Sequence, residues 1–431
     1  MLEATFARPA PPVLTLSEHR NLRFATLFLL YFAQGLPFGL IDFSLPAWLA
    51  QNGASAAAIG GVQAMVILPW TFKLAYGLLM DRYAFLAMGR RRPWIIIGQF
   101  GLAIAFLGLA LANPGVHQIS LIAAFAFALG LSSAVQDVAV DGLAVDILPA
   151  SEIERVNGYM FGAQAIGVAV SAAASGYLIA YFGLPAAVFT LAAIIAVILM
   201  LVLIVRERPG ERLLPWTSGA ASQRNLDLHL GAFGPILRNL FTAMFTRQTL
   251  ILVPALVAVV AAWGIFLGLA PLFAANVLGW GKAVYSSWSG QANIVAGFAS
   301  VLLFGLMAER WGARRLFIAS AVLSAASAGA MLLVQGHWTN PAFFIAGIFI
   351  FNALTVLRGV ASGSLAMRLC TPAIAATQFA VFMAILNLGR TVASASLGWI
   401  DSLGGIPAMF TAMVICSLTA AVFGFAAKVG R

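Results

Sequence analysis

A few ionisable side chains stand inside the long apolar runs of this chain: Asp42, Lys73, Asp137, Asp141, Arg358 and Arg390. An ionised group at the depth of a bilayer costs about 2.5 to 3.5 kcal/mol on insertion scales, so each of these needs a partner or a water-filled cavity. Asp137 and Asp141 are four residues apart and share a helix face, whereas Asp146 falls on another. Carboxylates in such positions can take up and release a coupling proton. The guanidinium groups of Arg358 and Arg390 stay charged and pair bidentately with carboxylate or phosphate, which suits them to an anionic ligand. Lys73 opens a second reading of the acidic pair, in which it holds Asp137 or Asp141 as a fixed strut that never meets a ligand. Gln34, Gln164, Asn293, Asn352 and Asn387 add neutral polar groups that can contact a ligand or, as is commoner, bond a neighbouring helix.

The elements that must position these groups follow from composition. Of 431 residues, 62% are hydrophobic and 9% charged, with a mean hydropathy of +0.98. A globular soluble domain carries about 25% charged residues, so a soluble enzyme, a disordered chain and a disulfide scaffold are all excluded. A spanning helix needs roughly 20 apolar residues. Apolar runs broken by Gly, Pro or charge predict twelve spans. Six run from Leu22 to Ala50, Ala56 to Met80, Trp94 to Ala112, Ser120 to Leu148, Val156 to Phe182 and Pro185 to Val205. Six more run from Leu250 to Asn276, Val284 to Ala308, Leu316 to Val334, Ala342 to Leu369, Ile374 to Ile400 and Ile406 to Ala427. The expected organisation is an all-α membrane protein with a cytoplasmic tail at 1–21, a six-helix bundle at 22–206, a linker at 207–248 and a second six-helix bundle at 249–427.

The net charge of +10 sits in short loop clusters and not on one basic surface, which argues for membrane topology and against a nucleic-acid partner. With the N-terminus inside, Arg82, Arg90, Arg91, Arg92, Arg155, the linker arginines, Arg310, Arg314, Arg315, Arg368, Lys428 and Arg431 fall on the cytoplasmic side, and the opposite loops carry only Lys282. Cys370 and Cys416 read as packing residues. The four histidines fall in tails, linker or loops, so no metal site is expected, and no Gly-x-x-x-x-Gly-Lys-Ser/Thr or Gly-x-Ser-x-Gly motif points to a nucleotide-driven machine or an enzyme. No cofactor is expected, and a monomer is.

The two halves repeat. Gly77-Leu78-Leu79-Met80-Asp81-Arg82 returns as Gly305-Leu306-Met307-Ala308-Glu309-Arg310, each followed by a basic cluster, Gly89-Arg90-Arg91-Arg92 and Gly312-Ala313-Arg314-Arg315. Gly167 and Gly176 match Gly389 and Gly398 at a shift of 222, which also aligns Asp146 with Arg368 and Gln136 with Arg358. Such a repeat suits two bundles that rock about a site between them.

Gly77-x-x-x-Asp81-Arg82 with its arginine cluster resembles the loop motif between spans two and three of the major facilitator superfamily, over essentially the whole chain. Gln34-Gly35-Leu36-Pro37, Leu68-Pro69-Trp70-Thr71-Phe72-Lys73 and Gln136-Asp137-Val138-Ala139-Val140-Asp141-Gly142 resemble the AmpG and acetyl-CoA transporter family more closely. The resemblance implies a secondary transporter of the inner membrane for a muropeptide-, siderophore- or CoA-like solute, with import favoured and protons as coupling ion. It implies that spans one, four, seven and ten line the central cavity, bringing Asp42, Asp137, Asp141 and Arg358 to it. On this basis Arg358 and Arg390 hold an anionic group, and Asp137 or Asp141 carries the proton. The resemblance also implies that Asp81, Arg82 and Arg90 to Arg92 latch onto the N-terminus of span eleven, with Glu309 and Arg310 as a weaker copy. The alternative class is a non-transporting assembly factor or sensor on the same fold.

Overall fold

The computed structural model of the chain describes residues 14–280 and 282–427. Residues 1–13 of the expected tail, and Lys428 and Arg431, lie outside the described residues. Eleven helices are long and apolar enough to cross a membrane. In the first half they are span one (Arg20–Leu49), span two (Ala58–Arg82), span three (Arg92–Ala112), span four (Ile119–Ile147) and a 52-residue helix, Ile153–Ile204. The last is not continuous. Gly183 has φ 82°, ahead of Pro185, a conformation that leaves the helix and that glycine adopts without a Cβ clash. Dividing there gives spans five (153–182) and six (184–204) and brings the number of spans to the twelve expected.

The second half supplies span seven (Arg247–Asn276), span eight (Ser287–Trp311), span nine (Ala313–Leu333), span ten (Pro341–Leu369), span eleven (Pro372–Ala395) and the helix Leu397–Ala426. That helix is non-helical at Gly404 and Gly405, ahead of Pro407, beside the predicted start of span twelve. Side-chain caps begin several spans: Ser55 accepts the Ala58 N–H at 3.2 Å, and Asn340 accepts that of Ala342 at 3.0 Å with Pro341 at the first helical position.

Every backbone polar group at membrane depth must be satisfied inside the chain, which is why the spanning segments are helical. Their outer faces carry exposed apolar side chains, as Ile97, Phe100, Ile104 and Leu111 do on span three. Their inner faces form three apolar clusters. One runs through the first half from Leu16 to Val205 and takes in Ala376, Phe379 and Phe382 of span eleven. The second half holds two, one around Leu256, Phe317, Leu357 and Ala420, the other around Phe273, Trp338, Phe344 and Phe410. Spans one and eight each contain a π-helical turn, at Leu40–Ser44 and Ser300–Phe304.

Candidate functional site

The first half gathers most of the buried polar groups onto one face of span four. Lys73 forms a buried ion pair with Asp137, and its ammonium also sits 4.3 Å from the Trp70 ring centroid. Gln34 of span one donates to the other oxygen of Asp137 at 2.7 Å, and Gln164 of span five donates to Gln34 at 3.0 Å. One turn along, the Tyr31 hydroxyl donates to Asp141. The two carboxylates thus have different company: Asp137 has a cation, and Asp141 has a phenol. Tyr31 in turn lies edge-on to Phe161 of span five, with centroids 6.3 Å apart, and a Cβ on Gly363 of span ten would come within 2.9 Å of the Phe161 ring. A continuous line of side chains therefore runs from Asp141 to the second half.

At one end of the molecule, here termed the arginine face, the halves are fastened together. Asp81, at the end of span two, accepts the backbone N–H of Thr377 at 2.9 Å and its hydroxyl at 2.7 Å. These donors belong to the first turn of span eleven, where unpaired N–H groups and the helix dipole favour an anion. Arg91 pairs with Asp81 at 2.5 Å and with Asp146 at 3.1 Å. Arg90 bonds Asp146 and reaches the carbonyls of Pro372 and Ala373, both at 2.9 Å. Gly77 is required for the approach, since a Cβ there would lie 2.8 Å from Thr377 Cα. The repeat-related contacts lie alongside: Glu309 pairs with Arg155 at 3.6 Å, Arg368 with Glu154 at 2.7 Å, and a Cβ on Gly158 would meet Gly305 Cα at 2.5 Å.

Two arginines of the expected latch do other work. Arg92 turns back into its own half, donating to the carbonyls of Val202 and Leu203 at the end of span six. Arg82 lies over the ring of its neighbour Tyr83 at 4.9 Å. Arg310 is exposed.

The linker is the part sequence reasoning described least well. Its first part is a folded strap. Glu207 is buried and accepts the backbone N–H groups of Arg90 and Arg91 at 2.9 and 2.7 Å, together with that of Arg92. It therefore caps span three and sets the loop that carries the latch arginines. Gly89, at φ 102°, makes room, because a Cβ there would meet the Glu207 carboxyl carbon at 2.4 Å. Glu211 accepts the Arg208 N–H at 2.9 Å and the Asn225 amide at 2.6 Å. Burial pushes the Glu211 carboxyl up to about 7, with the charge of Glu207 adding to the effect. Residues 14–17 pair with Arg206 and Glu207, and Arg23 grips Glu152 with two nitrogens.

The second-half residues stand apart from the carboxylates. Arg358 is 5% exposed and donates to Thr355 Oγ1 at 3.0 Å. It points into the interior of its own bundle, lining a cavity of about 10 Å³, room for about one water, among spans seven, nine, ten and twelve. Arg390 lies over the ring of Trp263, 5.0 Å from its centroid, and Trp263 is also a wall of that volume. Asn352 bonds back to the Ile348 carbonyl at 2.8 Å, while Asn387 and Asn293 are exposed. Asp42 is half-buried on the π-turn of span one, near Gln63, which donates to its carbonyl. Tyr31 and Thr377 went unmarked in the sequence. Thr377 stands 222 residues after Arg155, so the repeat pointed to it, and Tyr31 lies one turn before Gln34.

Twelve spans in two repeated halves, with an acidic loop of each half meeting the fifth span of the other, define a class, and the comparisons agree. The sequence pattern of the Major Facilitator Superfamily matches residues 27–299, and the chain belongs to that family. It is an AmpG-like multi-pass membrane transporter, not an enzyme. It is 26% identical over 404 residues to the anhydromuropeptide permease of Escherichia coli, covering 93% of this chain and 78% of the relative. A folate-biopterin transporter of Synechocystis sp. is 26% identical over 378 residues, 83% of this chain and 70% of the relative. The crystal structure of the Escherichia coli fucose:proton symporter shares the fold, with a TM-score of 0.70 at 14% identity over 94% of this chain and 98% of that one.

Proposed function

We propose that this transporter imports a solute bearing an acidic group, of the muropeptide kind for which its Escherichia coli relative is named, together with protons that move inward down their gradient. The arginine face is cytoplasmic on this reading, because positive loops are retained inside. The bundles 22–206 and 249–427 rock as units joined by 207–248, and the contacts from Asp81 to Thr377 hold the pathway shut on the cytoplasmic side. The single observation that carries the proposal is the unequal pairing of two buried carboxylates on span four. Asp137, neutralised by Lys73, is the structural member. Asp141, held by the Tyr31 hydroxyl alone, is the one free to exchange a proton, and the Phe161 contact couples it to span ten. Arg390, half-buried on Trp263, meets the acidic group of the solute together with the exposed Asn387.

The test is transport in vesicles. Asp141→Asn should abolish uptake driven by a pH gradient and leave exchange of solute across the membrane intact. Normal uptake by this variant, accompanied by acidification of the lumen, would overturn the assignment. A protein that copurifies with a partner and leaves the gradient untouched whichever anionic solute is added would favour the assembly-factor reading.

A further inference from the structure

The linker helix Phe233–Met244 presents a bare apolar edge. Phe233, Leu237 and Phe241, with Phe245 directly after the helix, recur at every fourth residue, a spacing that keeps them along one side. Ile236 is fully buried against the protein, whereas Leu237 is 49%, Phe241 65% and Phe245 60% exposed. The Phe241 and Phe245 rings stack on each other with centroids 4.4 Å apart. Arg238, Asn239 and Thr242 occupy the remaining arc. From His229 to Leu250 the sequence has no carboxylate. Arg238 and Arg247 are exposed and make no ion pair among the described residues.

Only Phe245 and Thr246 separate this helix from span seven, so no more than about 11 Å of chain joins Met244 to Arg247. The joint is fixed. Thr249 in the first turn of span seven donates its hydroxyl to the Ala243 carbonyl at 2.9 Å, and Thr246 accepts the Thr249 N–H at 3.3 Å. The helix is thereby held at the level where span seven leaves the bilayer, beside Leu250, which is itself exposed. An apolar edge at that level, flanked by arginines and free of acidic groups, is the pattern of a helix that lies in the headgroup layer. Its opposite side touches both halves. Phe233 lies edge-on to Tyr83 at the end of span two, with centroids 5.9 Å apart, and the helix packs on the latter part of span two and on the start of span eleven. These are the two segments that Asp81 and Thr377 join.

We propose that this helix docks on the bilayer leaflet at the arginine face, with Leu237, Phe241 and Phe245 among the acyl chains and Arg238 and Arg247 against anionic lipid headgroups, and that the docked helix braces span two against span eleven. Charge favours a lipid surface over a second copy of the chain, because this stretch repels its own copy and complements an anionic leaflet. The helix keeps its contacts with both halves only while the latch is shut, so anionic lipid favours the closed arrangement. The brace rests on the rocking of the halves proposed above, and the docking does not.

The experiment uses the full-length protein in bilayer discs of phosphatidylcholine, alone or mixed with phosphatidylglycerol. A fluorophore is placed on Phe241→Cys or on Thr242→Cys, and the signal of label taken up by the parent chain at Cys370 and Cys416 is subtracted. Lipids brominated along the acyl chain should quench the label strongly at 241 and weakly at 242. Equal quenching at both positions, or none at either, would overturn the docking. So would a disulfide formed between two Phe241→Cys chains, which gives the edge to a second copy. Spin labels at the ends of spans two and eleven should report a larger closed fraction when phosphatidylglycerol is present. An arginine beside an anionic leaflet is worth about a fivefold factor, so Arg238→Gln combined with Arg247→Gln should cut that gain at least about fivefold. Both side chains are exposed, so the variant keeps its fold. Distances that answer Asp81→Ala but not phosphatidylglycerol would overturn the brace alone, and distances that answer neither would overturn the brace and the latch together.

Discussion

The carboxylate of Asp81 accepts both the backbone N–H and the hydroxyl of Thr377, a residue 296 positions away in the chain. Its counterpart contact joins Glu309 to Arg155, and Arg155 and Thr377 are separated by the 222-residue repeat. Each half thus offers the acidic end of its second span to the same position of the other half's fifth. The first copy is buried and bonded to a helix terminus, and the second is a half-exposed ion pair. Exposed pairs contribute about 0 to 1 kcal/mol, so the fastening is carried by Asp81.

Asp81→Ala should open the arginine face. Hydrogen bonds to a charged group are worth about 1.5 to 3 kcal/mol each, so losing them should shift the ratio of closed to open molecules at least about tenfold. Thr377→Val keeps the backbone bond and should shift it less. Spin-label distances between the ends of spans two and eleven report both, and unchanged distances in Asp81→Ala would contradict the latch.

Gly158→Val tests closure without touching a charge. Its Cβ would lie 2.5 Å from Gly305 Cα in the closed arrangement, and overpacking of this kind costs about 1 to 3 kcal/mol. Cysteines on spans five and eight at this level should cross-link about fivefold more slowly or worse, with ion pairs elsewhere retained. An unaltered rate would mean that the helices have room to spare.

Lys73→Gln alone should destabilise the protein by about 3 to 5 kcal/mol, because it leaves the Asp137 carboxylate buried without its cation. Adding Asp137→Asn to the same chain should restore much of that loss in an unfolding titration. Restored stability with lost uptake would assign the pair to transport, and restored uptake would make it the strut proposed above.

The linker strap should respond to pH through Glu211. Its carboxyl sits at about 7 when buried, against an ordinary 4.5, so the docked strap binds the proton more tightly than the free one. Docking is then strongest below about pH 4.5 and weakens as pH rises to about 7. Amides of residues 206–225, corrected for intrinsic exchange rates, should be better protected at pH 5.5 than at 7.5, and Glu211→Gln should flatten the difference. Better protection at the higher pH would contradict this sign.

Sequence and structure agree where a single helix carries the information. Span positions follow from apolar run length, and Asp137 with Asp141 follows from a four-residue spacing on one face. Asp81 was marked by its motif. What escaped depended on the direction of a side chain about a helix axis or on contacts across loops. Arg358 was expected to face the other half, yet its rotation on span ten turns it into its own bundle, and no local pattern records that angle. Arg92 is one residue beyond Arg91 and so points about 100° away, toward span six. Glu207 and Glu211 were overlooked because a stretch rich in arginine reads as solvated loop, while their burial arises only when the strap folds onto span three.

That strap sets the length of a leash. Glu207, Arg208 and Asn225 fasten the linker to the first half, and a short helix, Gln223–Leu228, ends it. Between there and the next helix, Phe233–Met244, lie only residues 229–232, about 14 Å of chain when fully drawn out. Two residues more and span seven begins. Should the arginine face part as proposed above, the travel of the second bundle is bounded by these four residues and by the swing of the helix Phe233–Met244, so the tether itself sets how wide that end can open.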